Sequence, residues 1–418
     1  MKQRIAIIGS GISGLVCAYL LHGQHTISLY EAGDYVGGHT NTIDVPHAGK
    51  NWAVDTGFIV FNDWTYPNFI KLIDQLGVSW QHTTMSFSVK AEDNHLEYNG
   101  TTLNTLFAQR RNIVRPAFYL MISDILRFGR ESLSLLDGSS SDRDLTLGEY
   151  LDKHRYSEWF RRYYIIPMGA AIWSAPPDMM LQFPAAYFVR FFKNHGMLNV
   201  RDRPVWRTIR GGSREYVRKM LPLFENRVKL NCPVKSVRRS NDHVEIETAS
   251  GERHTYDHVI LACHSDQALG MLADPTEQER QVLGAIPYQE NLAILHTDAR
   301  ALPKRRLAWA AWNYHVPVEQ RDRVGLTYNM NILQSLEAPT TFCVTLNRPD
   351  LVAPDQVIRQ ITYHHPVYTP ASVAAQSRHH EISGTERTHY CGAYWFFGFH
   401  EDGVRSALRV CETFGAAL

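Results

Sequence analysis

The hydrophobic pattern is clearest at the start of the chain. Residues 4–8 form a short apolar run typical of a buried strand, and residues 15–21 form a longer run typical of a buried helix. Residues 26–30 have the length and composition of a second strand. A strand, a helix and another strand in close succession predict a βαβ unit with two parallel strands.

Two later segments have the period of amphipathic helices. Pro116 opens a stretch in which Phe118, Met121, Ile125 and Phe128 recur at helical spacing. Pro184 opens a second stretch, which is expected to end near Gly196. The second stretch carries aromatic side chains on one side, namely Tyr187, Phe188, Phe191 and Phe192.

The last part of the chain changes to the pattern of strands. Residues 234–239, 244–248 and 258–262 alternate or run apolar, and turn residues separate them. From His389 the pattern returns to strand, glycine and helix. With 418 residues in all, this order predicts an α/β fold made of two interleaved domains.

Glycines occupy the turn between the first strand and the first helix. Gly9 permits a tight turn, Gly11 lets the backbone approach a pyrophosphate, and Gly14 lets the helix pack closely on the strand. Glu31 ends the second strand, about 20 residues further on, where a carboxylate can accept hydrogen bonds from a ribose. The segment therefore predicts a dinucleotide site at the N-terminus of the helix.

Composition narrows the class of protein. The formal net charge is +1, which gives no general attraction to nucleic acid, and 44% hydrophobic with 20% charged residues is typical of a globular protein. No apolar run reaches the roughly 20 residues that span a bilayer. We therefore expect a cytoplasmic protein, with association at a membrane surface as an alternative.

Cysteines and histidines give no metal or disulfide pattern. The six cysteines are scattered, without a CxxC pair, which suits a reducing compartment. The pairs His364–His365 and His379–His380 are adjacent residues, which do not face the same way, so we expect no metal site.

Three segments, the first of which contains the glycine turn described above, carry a family resemblance. Gly9–Leu15, Gly37–Thr42 and Val54–Asn62 read GSGISGL, GGHTNT and VDTGFIVFN. With these motifs the chain resembles flavoproteins of the amine-oxidase and phytoene-desaturase superfamily, and within it the predicted bacterial FAD/NAD-binding proteins. The resemblance runs over essentially the whole chain.

The resemblance implies FAD as the cofactor. It implies that a strand over Val54–Val60 lies along the flavin, and that the last helix directs its N-terminal N–H groups, around Asp402–Val404, at the flavin pyrimidine. The implied FAD-binding residues are Gly9, Ser10, Gly11, Ile12, Ser13, Gly14, Glu31, Ala32, Gly38, His39, Thr40, Gly57, Phe58, Ile59, Val234, Trp395, Asp402, Gly403 and Val404.

The implied domains alternate along the chain. A Rossmann-like FAD-binding domain would comprise residues 1–80, 205–285 and 381–418. A substrate domain of helices and a mixed sheet would comprise residues 81–204 and 286–380. Gly211–Gly212 would then lie beside the flavin or serve as a plain turn where the chain crosses between domains.

Some residues depart from the amine-oxidase pattern. His39 stands where those enzymes usually have arginine, and Gly392–Ala393 stands where they usually have Gly-Glu. No lysine matches the one that holds a water near the flavin in many of them. His39 is either a phosphate ligand or a polar turn residue.

Two groups of residues each allow two interpretations. Tyr187, Phe191 and Tyr394 are candidates for a hydrophobic substrate pocket, although such aromatic side chains also form ordinary cores. The arginine-rich stretch Phe107–Arg130 suits contact with anionic lipid or a solvated basic face.

The predicted function is FAD-dependent oxidoreduction of a hydrophobic substrate. An unsaturated fatty acyl chain is the first choice, by desaturation or double-bond isomerisation, with an electron acceptor that the sequence does not identify. The alternatives are a flavin amine oxidase that releases peroxide and a non-catalytic FAD-binding protein. No catalytic residue besides the flavin is assigned.

Overall fold

The computed structural model describes residues 2–318 and 323–418. The strands are β1 Arg4–Ile8, β2 Thr26–Tyr30, β3 Thr42–His47, β4 Lys50–Asp55, β5 Val60–Asn62, β6 Trp80–His82, β7 Phe87–Ala91, β8 Leu96–Asn99, β9 Trp206–Ile209, β10 Val228–Lys229, β11 Val234–Arg239, β12 Val244–Thr248, β13 Arg253–Tyr256, β14 His258–Leu261, β15 Tyr288–His296, β16 Trp312–Val316, β17 Leu326–Asn329, β18 Cys343–Leu346, β19 Val357–Pro366 and β20 Thr388–Tyr390.

The helices alternate with these strands. They are α1 Ile12–Leu21, α2 Pro67–Gln75, α3 Leu103–Leu106, α4 Pro116–Glu131, α5 Leu147–Lys153, α6 Glu158–Phe160, α7 Ile166–Trp173, α8 Pro177–Leu181, α9 Ala185–Asn194, α10 Arg214–Met220, α11 Ser265–Met271, α12 Glu277–Gly284, α13 Met330–Leu333, α14 Pro370–Ser377, α15 His379–Ile382 and α16 His400–Glu412. Among the described residues, no helix is both long and apolar enough to cross a bilayer.

A parallel sheet forms the first layer of the fold. Its order is β10-β2-β1-β14-β20, and every neighbouring pair is parallel. The strands come from three separated stretches of the chain, so the interleaving predicted from the sequence is present in this sheet. The prediction of an α/β fold with a parallel sheet is confirmed.

The parallel sheet is buried on both faces. Helices α1 and α16 pack against each other, and α1 is covered on nearly all sides. The antiparallel sheet β11-β12-β13 and helix α11 contribute the apolar side chains of the opposite layer. Burial on both faces explains why β1 and β14 read as continuous apolar runs.

A larger mixed sheet forms the second unit. Its order is β19-β15-β18-β17-β16-β7-β8, and only the β16–β7 pair is parallel among the pairs that the structure describes. Helices α4 and α9 bury the aromatic faces that their helical spacing predicts. The division into domains at residues 80, 204, 285 and 380 remains a proposal.

One predicted strand is wrong. The sequence predicts a continuous strand over Val54–Val60, but β4 ends at Asp55 and β5 begins at Val60. The break lies at Gly57, where a Cβ would stand 2.2 Å from the carbonyl oxygen of His39. Phe58 N donates to that same oxygen at 2.8 Å. The chain therefore turns around His39 instead of continuing as a strand.

The buried carboxylate of Asp55 joins three separated parts of the chain. It accepts hydrogen bonds from Ser213 N at 2.9 Å, from Ser213 Oγ at 2.8 Å, and from Gln334 Nε2 at 2.9 Å. Thr42 Oγ1 also donates to it. Burial raises the pKa of Asp55 to about 6, and the hydrogen bonds from Thr42 and Ser213 act in the opposite direction.

We expect Asp55→Ala to destabilise the whole protein. The substitution leaves the Ser213 N–H and Oγ–H without their carboxylate acceptor and removes one of the two acceptors of the Gln334 amide, at a cost of about 3 kcal/mol. Asp44→Ala, at an exposed carboxylate that pairs with Arg214, is the control and is expected to cost less than about 1 kcal/mol. Urea unfolding measures both values, and equal losses would contradict the role given to Asp55.

Candidate functional site

A cavity of about 1100 Å³ lies between the parallel sheet and the mixed sheet. One end is formed by the turns that follow the parallel strands, at Gly9–Ser13, Glu31–Ala32 and Ala262–His264. Such turns are the usual ligand site of a parallel sheet. The volume exceeds the roughly 300–1,000 Å³ that is common for small-molecule pockets, so it suits a dinucleotide together with a second ligand.

The glycine turn brings backbone segments together without side chains between them. Gly9 has φ +102° and its N–H donates to the carbonyl of Tyr30 at 2.9 Å. A Cβ on Gly14 would lie 1.9 Å from the Gly9 carbonyl oxygen, whereas a Cβ on Gly11 would meet no atom within 4 Å. Gly14 is thus required for folding, and Gly11 keeps open the space in front of the helix α1 N-terminus.

The Glu31 carboxylate is held in place beside the glycine turn. One oxygen accepts from Ser10 N at 3.0 Å and also from Ser10 Oγ, and the other accepts from Gly33 N at 2.8 Å. The side chain remains half-buried and lines the cavity. This position suits a hydrogen-bond acceptor for a ribose diol.

Four imidazoles line the cavity close to the glycine turn. The His39 and His365 rings lie 5.3 Å apart, and the His264 and His364 rings lie 6.3 Å apart. His39 follows Gly38, whose Cβ would lie 3.2 Å from Gly11 Cα, so this group stands next to the turn. No metal-binding group of three or more His, Cys, Asp or Glu side chains is found in residues 2–318 and 323–418.

Three of these imidazoles, those of His39, His264 and His365, have lowered pKa values, which favour their neutral form. Desolvation, followed by the neighbouring imidazoles, lowers the pKa of His39 and of His264 to about 4, and that of His365 to about 3. The Nε2 atom of His39 is buried and has no hydrogen-bond partner. An unpartnered ring nitrogen in this place can donate to or accept from a bound ligand.

Aromatic side chains form the middle of the cavity wall. The Phe58 ring stacks on His400 at 3.7 Å, and the Tyr363 ring stacks on His39 at 4.8 Å. His400 Nε2 also lies 2.8 Å from the hydroxyl of Tyr216. These contacts place β5, β19 and the start of α16 around one space.

The structure places most of the predicted site residues on the cavity wall. They are Gly9, Ser10, Gly11, Ile12, Ser13, Glu31, Ala32, Gly38, His39, Gly57, Phe58, Ile59 and Val234, with Phe191 and Tyr394 of the predicted substrate pocket. Their contact with FAD or substrate stays a prediction.

The other predicted site residues do not line the cavity, and their contact with FAD or substrate likewise stays a prediction. They are Gly14, Thr40, Tyr187, Trp395, Asp402, Gly403 and Val404. Trp395 is 1% exposed and packs against His379 at 4.5 Å. A Cβ on Gly403 would lie 2.6 Å from Ile12 Cγ2, so this glycine serves the packing of α16 on α1.

Two more of these residues have structural partners. Asp402 accepts from Phe399 N at 2.9 Å and so caps its own helix, while burial raises its pKa to about 7. Tyr187 donates to the carbonyl of Phe396 at 2.7 Å, behind the cavity residue Tyr368. Both support the wall without lining it.

Several cavity residues were not expected from the sequence. His264, Tyr288, Tyr363, His364 and Tyr368 come from segments assigned only as strands or loops. The pair His364–His365 was considered for metal binding alone. Its position near the end of a strand was the one signal that could have directed attention to it, because strand ends form sites.

Known proteins share this sequence and fold. The profile of the family described as Flavin containing amine oxidoreductase matches residues 12–311. The chain belongs to this family. Membership assigns FAD as the cofactor, and it confirms the resemblance to the amine-oxidase superfamily drawn from the sequence.

Individual relatives are more distant. The chain is 24% identical over 271 residues to flavin-containing amine oxidase A of Equus caballus, which covers 62% of this chain and 49% of that protein. It thus spans about half the length of the curated relatives it matches.

Two solved structures show the same fold across nearly the full length of the chain. A putative protoporphyrinogen oxidase from Exiguobacterium sp. 255-15 has a TM-score of 0.71 at 16% identity and covers 99% of both chains. A fatty acid isomerase from P. acnes that produces CLA has a TM-score of 0.69 at 16% identity and covers 99% of this chain and 98% of its own.

The residues of the cavity fit FAD. The open space at Gly11, the anchored Glu31 carboxylate and the unpartnered Nε2 of His39 offer sites for pyrophosphate and ribose. Val234 lies on the wall where the resemblance places the adenine. Gly57 and Phe58 line the wall between the glycine turn and the aromatic residues.

We expect Gly11→Ala to fold normally and to bind FAD about tenfold more weakly, because a methyl group would occupy the space in front of the helix N-terminus. Gly23→Ala is the matched control, since its Cβ also meets no atom within 4 Å and it lies outside the cavity wall. Thermal unfolding of the FAD-free variants and titration with FAD separate folding from binding. Unchanged affinity in Gly11→Ala would contradict the placement of the pyrophosphate.

We expect FAD affinity to rise as the pH falls from 8 to 6. A bound pyrophosphate favours charged imidazoles, so binding takes up protons from solution. An average uptake of about half a proton between pH 8 and pH 6 corresponds to a change of about tenfold. The other titratable groups that line this part of the cavity are Tyr30, Glu31, Cys232, Cys263, Tyr288 and Tyr363.

Calorimetry in buffers of different ionisation enthalpy measures the proton uptake directly. His39→Leu should reduce both the uptake and the pH dependence, and His243→Gln, at a half-buried histidine outside the cavity wall, should change neither. FAD binding without proton uptake in the native chain would exclude the imidazoles as partners of the pyrophosphate.

Proposed function

We propose that the protein is an FAD-dependent enzyme that acts on a long unsaturated acyl chain, by desaturation or double-bond isomerisation. The observation that supports this most is the apolar end of the cavity. Away from the glycine turn, α4, α7 and α9 line it with apolar side chains, among them Ile122, Ile125, Met168, Ile172 and Phe191.

The mixed sheet supplies the floor of the apolar end. Phe87, Trp312 and Tyr328 lie side by side on three neighbouring strands, and the Trp312 and Tyr328 rings meet edge to face at 5.4 Å. A hydrocarbon chain gains about 0.8 kcal/mol for each CH₂ removed from water. Such a wall therefore selects ligands by length.

Charges along the cavity suit an acid better than an amine. Glu31 is the single carboxylate on the wall among the described residues, and its oxygens already accept hydrogen bonds from Ser10 and Gly33. Arg203 is the single Arg or Lys on the described part of the wall and stands at the exposed, apolar end. It offers a cationic partner for a carboxylate or phosphate head group.

FAD, when bound, supplies an acceptor for a hydride equivalent. The protein's part is to orient the chain and to exclude water from the reacting carbons. Phe58, His400 and Tyr394 provide a closed aromatic surface in the middle of the cavity, and Ile59 and Val60 continue it towards the apolar end. The P. acnes isomerase, whose fold is shared, acts on fatty acids and supports this substrate class.

Amine oxidation is the second candidate. The family profile and the curated relatives favour it, since both are described as flavin-containing amine oxidoreductases or amine oxidases. Tyr288, Tyr363 and Tyr394 on the wall could surround a small cation. Peroxide formation with amines would then accompany turnover.

We expect acyl chains to reduce the flavin or to change their double-bond pattern, with rates that rise with chain length. Amines of matched length are the comparison. The measurements are flavin absorbance without oxygen and mass spectrometry of the products, because isomerisation leaves the flavin oxidised at the end. Ile122→Trp should shift the preference to chains shorter by about two to four carbons, since it fills the apolar end.

The matched control is Ile358→Trp, at an exposed strand position outside the cavity wall, which should leave the length preference unchanged. Rapid flavin reduction by short amines, with no reaction of any acyl chain, would replace the proposal with the amine-oxidase function. A flavin that responds to dithionite alone would favour a non-catalytic protein.

A further inference from the structure

The surface around α3 and α4 exposes many apolar side chains. We call it the α3–α4 face and define it by Leu103, Ile113, Val114, Tyr119, Leu120 and Leu126, all of which are exposed. Val114 is 82% exposed and Leu120 is 52% exposed. A contiguous apolar surface of this kind marks an interaction site rather than a core.

The exposed side of α4 carries apolar side chains next to polar ones. Tyr119, Leu120 and Leu126 are exposed, together with Ser123 and Arg130. The opposite side of the helix is buried through Phe118, Met121 and Phe128. The helix therefore presents three large apolar side chains outward in addition to its buried side.

The charge of the face is positive. Arg110, Arg111 and Arg130 are exposed and make no ion pair with a described carboxylate. Arg110 donates to the carbonyl of Phe107 at 2.8 Å, and Arg111 donates to the carbonyl of His95 in the turn between β7 and β8. Asp124 is the single acidic residue from position 98 to position 130, and it is buried and paired with Arg127 at 3.0 Å. Glu131, the last residue of α4, is exposed beside Arg130, so the face carries three exposed arginines and one exposed carboxylate at its edge.

The cavity opens beside this face. Leu126 and Val200 both line the cavity and are exposed, Val200 by 71%. The loop that carries Val200 contacts α4, since a Cβ on Gly129 would lie 2.6 Å from the Leu198 carbonyl oxygen. Arg203 follows on the same loop, with Asp202 as its acidic neighbour. The mouth is thus apolar with basic groups at its edge.

We propose that the α3–α4 face docks on an anionic lipid bilayer, so that the cavity mouth opens into the lipid. Apolar side chains would enter the boundary between head groups and acyl chains, and the arginines would contact lipid phosphates. The route of an acyl substrate through this mouth rests on the proposed function, whereas the docking itself does not.

Dimerisation of the chain through the α3–α4 face is unfavourable. Two such faces in contact would bring arginines against arginines in a partly desolvated interface, which costs free energy. A bilayer with anionic head groups offers the opposite charge and an apolar interior at the same time. Tyr119 adds a side chain type that is common at the level of the head groups.

The test is sedimentation of the FAD-loaded protein with vesicles. Phosphatidylcholine vesicles that contain about one third phosphatidylglycerol should bind it at least about tenfold more tightly than pure phosphatidylcholine. Val114→Glu combined with Leu120→Glu should lower the binding about tenfold or more, and Arg110→Glu with Arg130→Glu should lower it and reduce its salt dependence.

Leu223→Glu is the matched control, at a leucine that is 49% exposed and lies on the other unit of the fold, and its binding should equal that of the native protein. Flavin absorbance and thermal unfolding verify that each variant is folded.

Absence of vesicle binding by the native protein, or equal binding by the face variants, would overturn docking. Concentration-dependent dimerisation lost in those variants would assign the face to a second copy instead. Vesicle binding without any reaction of acyl chains would sustain the docking and refute the substrate proposal alone.

Discussion

Everything in this fold depends on the close approach of backbone segments at one edge of the parallel sheet. The Gly9 carbonyl lies where a Cβ on Gly14 would stand, and Gly57 meets the His39 carbonyl in the same way. Side chains at these positions would separate the strand ends and the chain that wraps around them. The close contacts leave the free volume on one side, in front of helix α1, and this volume continues to the mixed sheet. Hydrogen bonds from Ser213 and Gln334 to the Asp55 carboxylate then fix the position of the mixed sheet relative to that edge.

Sequence patterns predicted the parts of the site that are local. The glycine turn, the carboxylate of Glu31 and the aromatic helix α9 each have a signature within one segment, because strand and helix periods and turn chemistry act over a few residues. The break at Gly57 was missed, since its cause is the carbonyl of His39, which is distant along the chain but adjacent in space. The positions of His264 and His364 were missed for the same reason. Their meeting depends on the packing of two sheets, which no local pattern records.

The cavity joins two environments with different chemistry. Next to the glycine turn, imidazoles and a carboxylate surround the volume, and at the far end apolar side chains of α4 and α7 do so. The polar end matches a charged dinucleotide and the apolar end matches a hydrocarbon, so their boundary, near Phe58 and Tyr394, is where a cofactor and a substrate would meet. Trp395, Asp402 and Gly403 fix this boundary from behind, through packing of α16 and its cap. A change at these three positions would therefore alter the geometry of the wall, whereas their direct contact with FAD stays a prediction.

Histidine in place of arginine at position 39 has a consequence for the protein without its cofactor. A buried guanidinium stays charged and needs an anionic partner, so an arginine here would face a desolvation cost whenever FAD is absent. An imidazole loses its proton instead, and the lowered pKa of His39 and of His365 shows that burial favours this neutral form. The FAD-free cavity can thus remain folded without a buried cation. The predicted uptake of a proton beside a phosphate would give the chain both a stable empty cavity and attraction for an anionic cofactor.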